Sequence, residues 1–307
     1  MRALVISGGG SKGAFAGGVA EHLIYEKKHD YDIFIGSSTG ALLIPHLAIG
    51  EIEKIKEMYT NVSQDDIYTV NPFRIKKNVE GKLTASINHK STLRMFLKKR
   101  KTFGDTSALR ATIANTLSKE DFRKVQTSGK KVIVTVCNIT RTTVEYRYAI
   151  DCLHEDFIDW MWASSSFIPF MSLVKKNDSE YADGGFGNYI PIEEAVNIGA
   201  TEIDCIVLNP RRLQKTTVKT NNAFDLLLKS FLFMQKQIAV NDVLIGHLES
   251  IYNKNVKVNF IFTPYQLTEH SFYFDPTQMK RWWHEGCLLY TSPSPRDQRG
   301  SRMPSSA

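Results

Sequence analysis

The chain has 307 residues, of which 42% are hydrophobic and 23% charged, so it can bury a sizeable core as one large or two medium domains. Its 19 glycines and 10 prolines exclude a collagen-like or low-complexity chain, and no apolar run approaches the roughly 20 residues that span a bilayer. Lys and Arg outnumber Asp and Glu by 39 to 32, which gives a formal net charge of +7.

Strand and helix patterns alternate along most of the chain. Strand patterns at 4–7 and 32–35 are each followed by a helix pattern, at 14–27 and 39–49. This opening predicts a parallel sheet covered on both faces, because parallel neighbours need a crossover connection that is normally a helix. Further strands are predicted at 131–137, 144–149, 203–208 and 256–262, and further helices at 107–117, 156–163, 192–198, 223–248 and 276–286. We therefore predict a single α/β domain over residues 1–287.

A glycine-rich turn, Gly8-Gly9-Gly10-Ser11-Lys12-Gly13, follows the first predicted strand and matches GxGxxG. A dinucleotide site would also need an acidic residue at the end of the second strand, whereas Asp30 and Asp32 come before that strand or at its start. Lys12 precedes its glycine, so the turn does not match the phosphate loop GxxxxGK[ST] either. What remains is a run of backbone N–H groups at a helix N-terminus, where an anionic group is favoured.

A second turn, Gly36-Ser37-Ser38-Thr39-Gly40, matches GxSxG between a predicted strand and a predicted helix. In that context the motif indicates a nucleophile elbow with Ser38 as the candidate nucleophile. The flanking glycines fit, because an elbow strains its serine and brings neighbouring chain close. Both turns follow the carboxyl ends of strands, where open α/β sheets bind ligands, so the amides of Gly9 and Gly10 could meet the charge on an acyl oxygen at Ser38.

A serine nucleophile needs a base, and the best candidate is Asp183. It lies in Tyr181-Ala182-Asp183-Gly184-Gly185, where two glycines after an aspartate indicate a tight turn that projects the carboxylate. A DGG sequence alone is usually only a turn. None of the eight histidines lies in a glycine-flanked turn or at the carboxyl end of a predicted strand, although a Ser-His-Asp triad stays open.

Taken together, these motifs resemble the patatin-like phospholipase family, with GGGxKG at 8–13, GxSxG at 36–40 and DGG at 183–185 in that order. The segment ASSSFIPF at 163–170 and the NYIP at 188–191 also resemble segments of the family. The resemblance covers about residues 1–287. It implies the patatin-like fold, a three-layer α/β/α arrangement around a central, mostly parallel sheet, and it implies catalysis without a metal or other cofactor.

The resemblance also implies a role for each matching residue. Ser38 would be the acyl nucleophile and Asp183 the general base, without a histidine. The remaining site residues would be the oxyanion loop Gly8, Gly9, Gly10 and Ser11, the elbow glycines Gly36 and Gly40, and the dyad-supporting turn Gly184 and Gly185. Lys12 is interpreted as a solvent-facing lysine, and Ser164 to Ser166 are interpreted as polar residues at a helix end.

The implied activity is hydrolysis of lipid carboxyl esters, of the phospholipase A or lysophospholipase type, on a phospholipid or lysophospholipid. The same acyl-enzyme could instead pass its acyl group to an alcohol or a lysolipid, so a lipid acyltransferase stays open. A non-catalytic lipid-binding or membrane-binding protein is a second alternative. The intact Ser38, Asp183 and glycine loop argue against it, because binding alone has no use for a strained elbow.

Basic residues are concentrated in one segment, Arg74 to Lys101, which holds ten basic residues and one acid, Glu80. The segment carries 10 − 1 = +9, and the rest of the chain carries 29 − 31 = −2. Such a segment is either an ordinary solvated face or a contact for anionic phosphates. Leu93, Phe96 and Leu97 precede four basic residues at helical spacing, which suits a basic amphipathic helix. We expect peripheral contact with an anionic membrane surface and no nucleic-acid partner, and the oligomeric state stays open.

The remaining expectations concern the compartment, the cysteines and the end of the chain. The first apolar run is too short for a signal peptide. We therefore predict a cytoplasmic protein, which could also lie peripherally on a membrane. The four cysteines are far apart without CxxC spacing and are expected to be core thiols, and the chain has no HExxH or EF-hand loop, so no metal is expected. Residues 288–307 contain repeated Ser-Pro steps and are predicted to be a disordered, non-native tail.

Overall fold

A computed structural model of the chain describes residues 1–77, 83–211, 220 and 222–288. The strands are β1 (Arg2–Ile6), β2 (Ile33–Ser37), β3 (Phe73–Lys77), β4 (Leu83–Ile87), β5 (Lys131–Asn138), β6 (Thr143–Tyr148), β7 (Val174–Lys176), β8 (Ser179–Asp183), β9 (Glu202–Pro210) and β10 (Lys257–Thr263). The helices are α1 (Gly13–Glu21), α2 (Thr39–Ala48), α3 (Ile52–Asn61), α4 (Gln64–Ile67), α5 (His89–Leu97), α6 (Ser107–Thr116), α7 (Lys119–Thr127), α8 (His154–Ser164), α9 (Ile192–Asn197), α10 (Ala223–Tyr252) and α11 (Pro276–Leu288).

The central sheet has eight strands in the order β10-β9-β1-β2-β5-β8-β7, and β6 also pairs with β5. The run from β10 to β5 is parallel, whereas β6, β7 and β8 pair antiparallel. The prediction of a mostly parallel sheet is confirmed. The carboxyl ends of β1, β2, β5 and β9 meet along one side of the sheet, which we call the carboxyl edge.

Both faces of the sheet are covered, so the predicted three-layer arrangement is confirmed. Side chains alternate along each strand: Leu4 and Ile6 of β1 face a core shared with α1, α2, α8 and α11, whereas Val5 faces a second core shared with α9 and α10. The first core includes Trp283, which is 1% exposed and packs against α1. The sequence-based prediction of a structural helix at 276–286 is therefore confirmed.

The predicted elements appear with small shifts of their ends, but the sequence analysis missed several others. It missed the hairpins β3–β4 and β7–β8 and the helices α3 and α7. The strand β7 has three residues, and the turn to β8 is Asn177-Asp178, both at positive φ. Charged side chains in so short a strand hide the apolar alternation by which strands are recognised. The sequence around Asp183 therefore indicates only a turn, and the strand that ends there is visible only in the structure.

Two predictions concern residues outside the described ranges. The predicted tail falls outside them except for Leu288, which ends α11, and residues 78–82 of the basic segment also fall outside.

The four cysteines are free thiols; Cys137 and Cys205 are buried, and Cys152 and Cys287 are half-buried. Within the described ranges, no helix combines the length and the apolar character needed to cross a membrane.

Candidate active site

The register of the sheet brings Ser38 and Asp183 together although 145 residues separate them. Ser37 of β2 pairs with Thr135 of β5, and the next residue of β5, Val136, pairs with Asp183 of β8. Ser38 follows Ser37 at the carboxyl edge. Its Oγ donates a hydrogen bond to Asp183 Oδ2 at 2.7 Å, so the two predicted dyad residues are in direct contact.

Ser38 lies in a strained turn, as an elbow requires. Its φ is 54° and its ψ is −122°, in the left-handed half of backbone space that residues with a Cβ rarely occupy. A Cβ on Gly40 would lie 2.3 Å from the carbonyl oxygen of Ile6, and one on Gly36 would lie equally close to Gly40. Glycine at both positions therefore lets β1, β2 and the start of α2 approach one another. The elbow glycines lie where the sequence predicts them.

The Asp183 carboxylate is 2% exposed and has two hydrogen-bond donors. Oδ2 accepts from Ser38, and Oδ1 accepts from the amide of Gly185 at 2.8 Å. Gly184 packs against the carbonyl of Thr135, which fixes the turn beside β5. Burial raises the pKa of Asp183 to about 7 because the charged form loses hydration, although both hydrogen bonds act in the opposite direction. The pKa of this carboxyl therefore lies near neutral pH.

Three consecutive serines at the end of α8 support both residues. The amide of Ser38 donates to Ser164 Oγ at 3.0 Å, and Ser165 Oγ donates to the carbonyl of Ser38 at 3.1 Å. The amide of Asp183 donates to the carbonyl of Ser166 at 3.0 Å. These serines do end a helix, as predicted, but the sequence analysis missed that they hold the elbow and the strand of Asp183.

The predicted oxyanion loop divides into two kinds of amide. Those of Gly8 and Ser11 are already used: they donate to the carbonyls of Tyr189 and Ser271, at 3.1 and 2.9 Å. Across the described residues, the amides of Gly9 and Gly10 have no acceptor, and both glycines line the cavity beside Ser38. Gly10 has a φ of +57°, and a Cβ there would lie 2.2 Å from the carbonyl oxygen of Ser271. Two amides thus anchor the loop, and two are open to a ligand.

The interpretation of Lys12 as a solvent-facing lysine is wrong. Its side chain is buried, and Nζ donates to the carbonyl of Leu208 at 2.5 Å and to Asn209 Oδ1 at 3.2 Å. Burial and the nearby charge of Lys236 lower the pKa of Lys12 to about 8. Because its acceptors lie at the end of β9, 196 residues away, the local sequence gave no sign of this tie between the glycine loop and the sheet.

Asp242 on α10 is another supporting residue that the sequence analysis missed. It is buried, and its Oδ2 accepts a hydrogen bond from the amide of Ile190 at 2.8 Å. Burial raises the pKa of Asp242 to about 6. The residue before Ile190 is Tyr189, whose carbonyl accepts the hydrogen bond from Gly8. Asp242 of α10 therefore helps to position the glycine loop through the segment Tyr189-Ile190. No turn or motif around Asp242 could have indicated this role.

Two pockets of different character meet at Ser38 and Asp183. The outer cavity has a volume of about 490 Å³, and its polar lining includes Lys12, Lys229, Lys236, Glu269 and His270. The inner pocket is narrow, about 50 Å³, and its lining is mostly apolar, including Leu42, Met58, Ile113, Met171 and Phe274. An extended molecule with a polar end and an apolar end can thus place its middle at Ser38.

Three comparisons with known proteins bear on this arrangement. The model of the family described as patatin-like phospholipase matches residues 4–196. Uncharacterized protein L620 of Acanthamoeba polyphaga mimivirus is 35% identical over 106 residues, which are 33% of this chain and 25% of that protein. VipD from Legionella pneumophila has a similar fold, with a TM-score of 0.50 and 13% identity over 93% of this chain and 65% of VipD. The chain therefore spans a quarter of L620 and less than two thirds of VipD. Since the family match covers more than half of the residues, the chain belongs to the patatin-like phospholipase family.

Proposed function

We propose that the protein is a serine lipid acyl hydrolase of the phospholipase A or lysophospholipase type, with Ser38 and Asp183 as its catalytic residues. The observation that carries this proposal is the 2.7 Å hydrogen bond from a strained serine to a buried carboxylate whose pKa is raised to about 7. Family membership supports it, because the matched residues 4–196 include both Ser38 and Asp183.

The reaction would proceed in two steps. In the first, Ser38 Oγ attacks the ester carbonyl carbon while Asp183 Oδ2 takes the hydroxyl proton, and the tetrahedral oxyanion accepts hydrogen bonds from the amides of Gly9 and Gly10. Collapse of this intermediate breaks the ester C–O bond, and Asp183 returns the proton to the leaving alcohol. In the second, Asp183 takes a proton from water as the water oxygen attacks the acyl-enzyme carbonyl carbon, and the bond from that carbon to Ser38 Oγ then breaks. Asp183 returns the proton to Ser38 Oγ as the fatty acid leaves.

Asp183 can serve as the base without a histidine because of its environment. A solvated aspartate has a pKa near 3.8 and accepts a proton from a serine poorly, whereas burial raises the pKa of this carboxyl to about 7. Near neutral pH the Asp183 carboxylate is therefore a stronger base than a solvated aspartate. Ser38 caps the N-terminus of α2, whose dipole favours negative charge at that position.

The two pockets suggest how a lipid would bind. The apolar lining of the narrow inner pocket suits the part of an acyl chain next to the ester. The outer cavity suits a polar alcohol part, and Lys12 and Lys236, beside Asp225 and Glu269 in its wall, could pair with an anionic group. A phospholipid or lysophospholipid has this distribution of charge about its ester. The proposal therefore places the acyl chain inward and the phosphate outward.

We also propose that the basic segment contacts an anionic membrane surface. Leu93, Phe96 and Leu97 of α5 are exposed, and the basic residues from Lys98 to Lys101 follow them directly. Lys101 pairs with Glu180, while Lys98, Lys99 and Arg100 have no ion pair with any described residue. Exposed cations beside exposed apolar side chains are typical of a surface that binds anionic lipid interfaces.

The test of the hydrolase is fatty-acid release from mixed phospholipid and lysophospholipid vesicles in the presence of a chelator. We expect Ser38→Ala to lower the rate at least ~10³-fold, because no other described hydroxyl donates to Asp183. Ser37→Ala is the matched control: its hydroxyl donates to the carbonyl of Asn188, so its loss should cost about tenfold or less.

Two results would contradict the proposal. One is a folded wild-type protein that releases no fatty acid, and the other is equal activity in the Ser38→Ala and wild-type proteins. Transfer of the acyl group to an added alcohol or lysolipid, with little free fatty acid, would replace the hydrolase by an acyltransferase on the same two residues.

A further inference from the structure

The helix α10 has an unusual distribution of charge for a surface helix. It is 30 residues long, and none of its solvent-exposed positions holds an Asp, Glu, Lys or Arg. Its charged residues, Asp225, Lys229, Lys236, Asp242 and Glu249, are all half-buried or buried. An ordinary surface helix turns its charges to solvent and its apolar side chains to the core. On α10 the charges face the body of the protein, and large apolar side chains face outward.

These apolar side chains form a long surface, which we call the outer face of α10, and the exposed polar residues Ser230 and Gln237 lie within it. Its central line comprises Leu226, Phe233, Val240, Leu244, Leu248 and Ile251, each at least 40% exposed. At about 1.5 Å per residue this line is roughly 37 Å long. Exposed apolar surface of this extent marks an interaction site in a folded protein.

The width of the outer face indicates whether it fits a flat surface or a single partner helix. At about 3.6 residues per turn, Met234, Ile245 and Tyr252 lie roughly a quarter of a turn from the central line, and all three are exposed. A coiled-coil seam is narrower, because only two positions in each heptad meet the partner helix. The breadth therefore favours a flat apolar phase, in which an amphipathic helix lies parallel to the surface.

The position of α10 connects the outer face with the site. Lys229, Leu232, Phe233 and Lys236 of this helix line the outer cavity that reaches Ser38. Phe233 belongs to both surfaces, so the rim of the cavity is continuous with the outer face. Lys229 pairs with Asp225 at this rim, so Lys236 and the lack of exposed acids on α10 are the features that complement a surface carrying negative charge.

We propose that the outer face of α10 docks on the surface of a lipid bilayer that carries anionic headgroups, with the rim of the cavity open to the lipid. The choice of a bilayer as occupant rests on the proposed function, whereas the exposed apolar surface does not. A lipid could then pass from the bilayer to Ser38 along Phe233 and Leu232 without crossing water. The basic segment lies beside this contact, because its strand β4 packs against α10, whereas its exposed helix α5 is a different element.

The experiment measures binding to vesicles of phosphatidylcholine and phosphatidylserine by cosedimentation. The variant is the triple change Val240→Ser, Leu244→Ser and Ile251→Ser, none of which lines either pocket. The matched control is the double change Ile150→Ser and Leu153→Ser, at positions that are 64% and 76% exposed. These two follow β6 beside Ile133, at the amino end of β5, and thus at the opposite edge of the sheet.

We expect the triple variant to bind the vesicles at least about 30-fold more weakly, because three apolar side chains no longer enter the interface. The control variant should stay within about twofold of the wild type. Both variants should keep the far-ultraviolet circular dichroism and the thermal midpoint of the wild type and hydrolyse a soluble ester, p-nitrophenyl butyrate, at its rate. Unchanged vesicle binding in the triple variant would overturn the docking surface.

Other outcomes separate the two proposals. If the wild type is a dimer in size-exclusion chromatography and the triple variant a monomer, a second copy covers the outer face and the lipid surface is excluded. If the wild type binds vesicles through α10 but hydrolyses neither vesicle lipid nor p-nitrophenyl butyrate, the hydrolase fails and the docking surface stands. If it hydrolyses both while the triple variant binds as well as the wild type, the docking surface alone fails.

Discussion

The carboxyl edge of the sheet and the outer face of α10 are opposite in construction. At the edge, Ser38 and Asp183 are buried, their polar atoms have partners, and a Cβ on Gly40 would clash with backbone. On the outer face, large apolar side chains are exposed, and no Asp, Glu, Lys or Arg is exposed among them. Catalysis at the carboxyl edge therefore depends on the positions of individual atoms, whereas lipid binding by the outer face depends on its total apolar area. Substitutions at the edge should have large local effects on catalysis, and substitutions on the face should matter only when lipid is present.

The largest expected effect at the edge is that of Asp183→Asn. Asparagine has the same shape, and its Oδ1 can still accept from the amide of Gly185 while its NH₂ group donates to Ser38 Oγ, but it cannot take a proton from the serine. We expect ester hydrolysis to fall by ~10²- to 10⁴-fold. In the wild type, activity should rise with pH through about 7, as Asp183 loses its proton. A wild-type rate that does not change between about pH 6 and 8 would argue against Asp183 as the base.

The same variant tests whether Asp183 is held in an unfavourable environment. Its pKa is about 7 in the folded protein and near 3.8 when unfolded, so the folded state binds the proton more tightly. The stability that this group contributes is complete below about pH 3.8 and is lost as the pH rises through about 7. Asparagine does not titrate, so Asp183→Asn should melt with the wild type near pH 4 and a few degrees higher near pH 8. An equal difference at both pH values would contradict the raised pKa.

The parts of the site that the sequence revealed are those that local geometry dictates. Strain at Ser38 and the close approach at Gly40 allow few residue types, so their positions are readable from a short motif. Lys12 and Asp242 act through partners far along the chain, and a lysine or an aspartate carries no local sign of such a partner. The serines of α8 lie in a segment that resembles the family, but only the folded structure shows that they bond to Ser38 and Asp183.

Ser164→Ala tests whether the elbow depends on support from α8. Without this hydroxyl, the buried amide of Ser38 loses its acceptor, which costs about 1–3 kcal/mol. We expect kcat for p-nitrophenyl butyrate to fall by ~10- to 100-fold with little change in KM, because the nucleophile moves while the pockets stay intact. Ser166→Ala is the control, since its hydroxyl is bonded to the carbonyl of Trp162 in its own helix. A kcat for Ser164→Ala no lower than that for Ser166→Ala would show that the bond from Ser38 to Ser164 is not needed to hold the elbow.

The helix α10 shows a different limit of sequence analysis. Its periodicity predicted a helix at 223–248, and the structure has one at Ala223–Tyr252. Apolar residues occur on both sides of this helix: Leu228 and Phe231 pack on the core, while Leu226 and Phe233 are exposed. Periodicity alone cannot say which apolar side is covered by the protein. Only the folded structure therefore shows which apolar side of α10 is exposed.

The inner pocket lies at the carboxyl edge, but it contributes through its volume, which limits the acyl chain that can bind. A substitution there should have an effect of intermediate size. Ile113→Phe adds bulk to a pocket of about 50 Å³. Hydrolysis of a long-chain p-nitrophenyl ester should fall about tenfold relative to the butyrate, since a hydrophobic pocket discriminates by one to three kcal/mol for small changes in chain length. The butyrate rate of the same variant serves as the internal control. An unchanged preference for chain length would place the acyl chain in the outer cavity instead.

The smallest expected effect separates charge from apolar area at the membrane. Lys98 is exposed and has no ion pair with any described residue, so Lys98→Gln should weaken binding to phosphatidylserine vesicles by about 1 kcal/mol, or roughly fivefold. High salt should remove this difference, because exposed charges are screened, whereas it should leave the contribution of the α10 outer face in place. Lys27→Gln removes an exposed charge that lies before β2, at the amino end of the sheet and beside α1 rather than α10, and should not change binding. If both substitutions weaken binding equally, the net charge of +7 attracts the membrane without a preferred surface, and the basic segment has no special role.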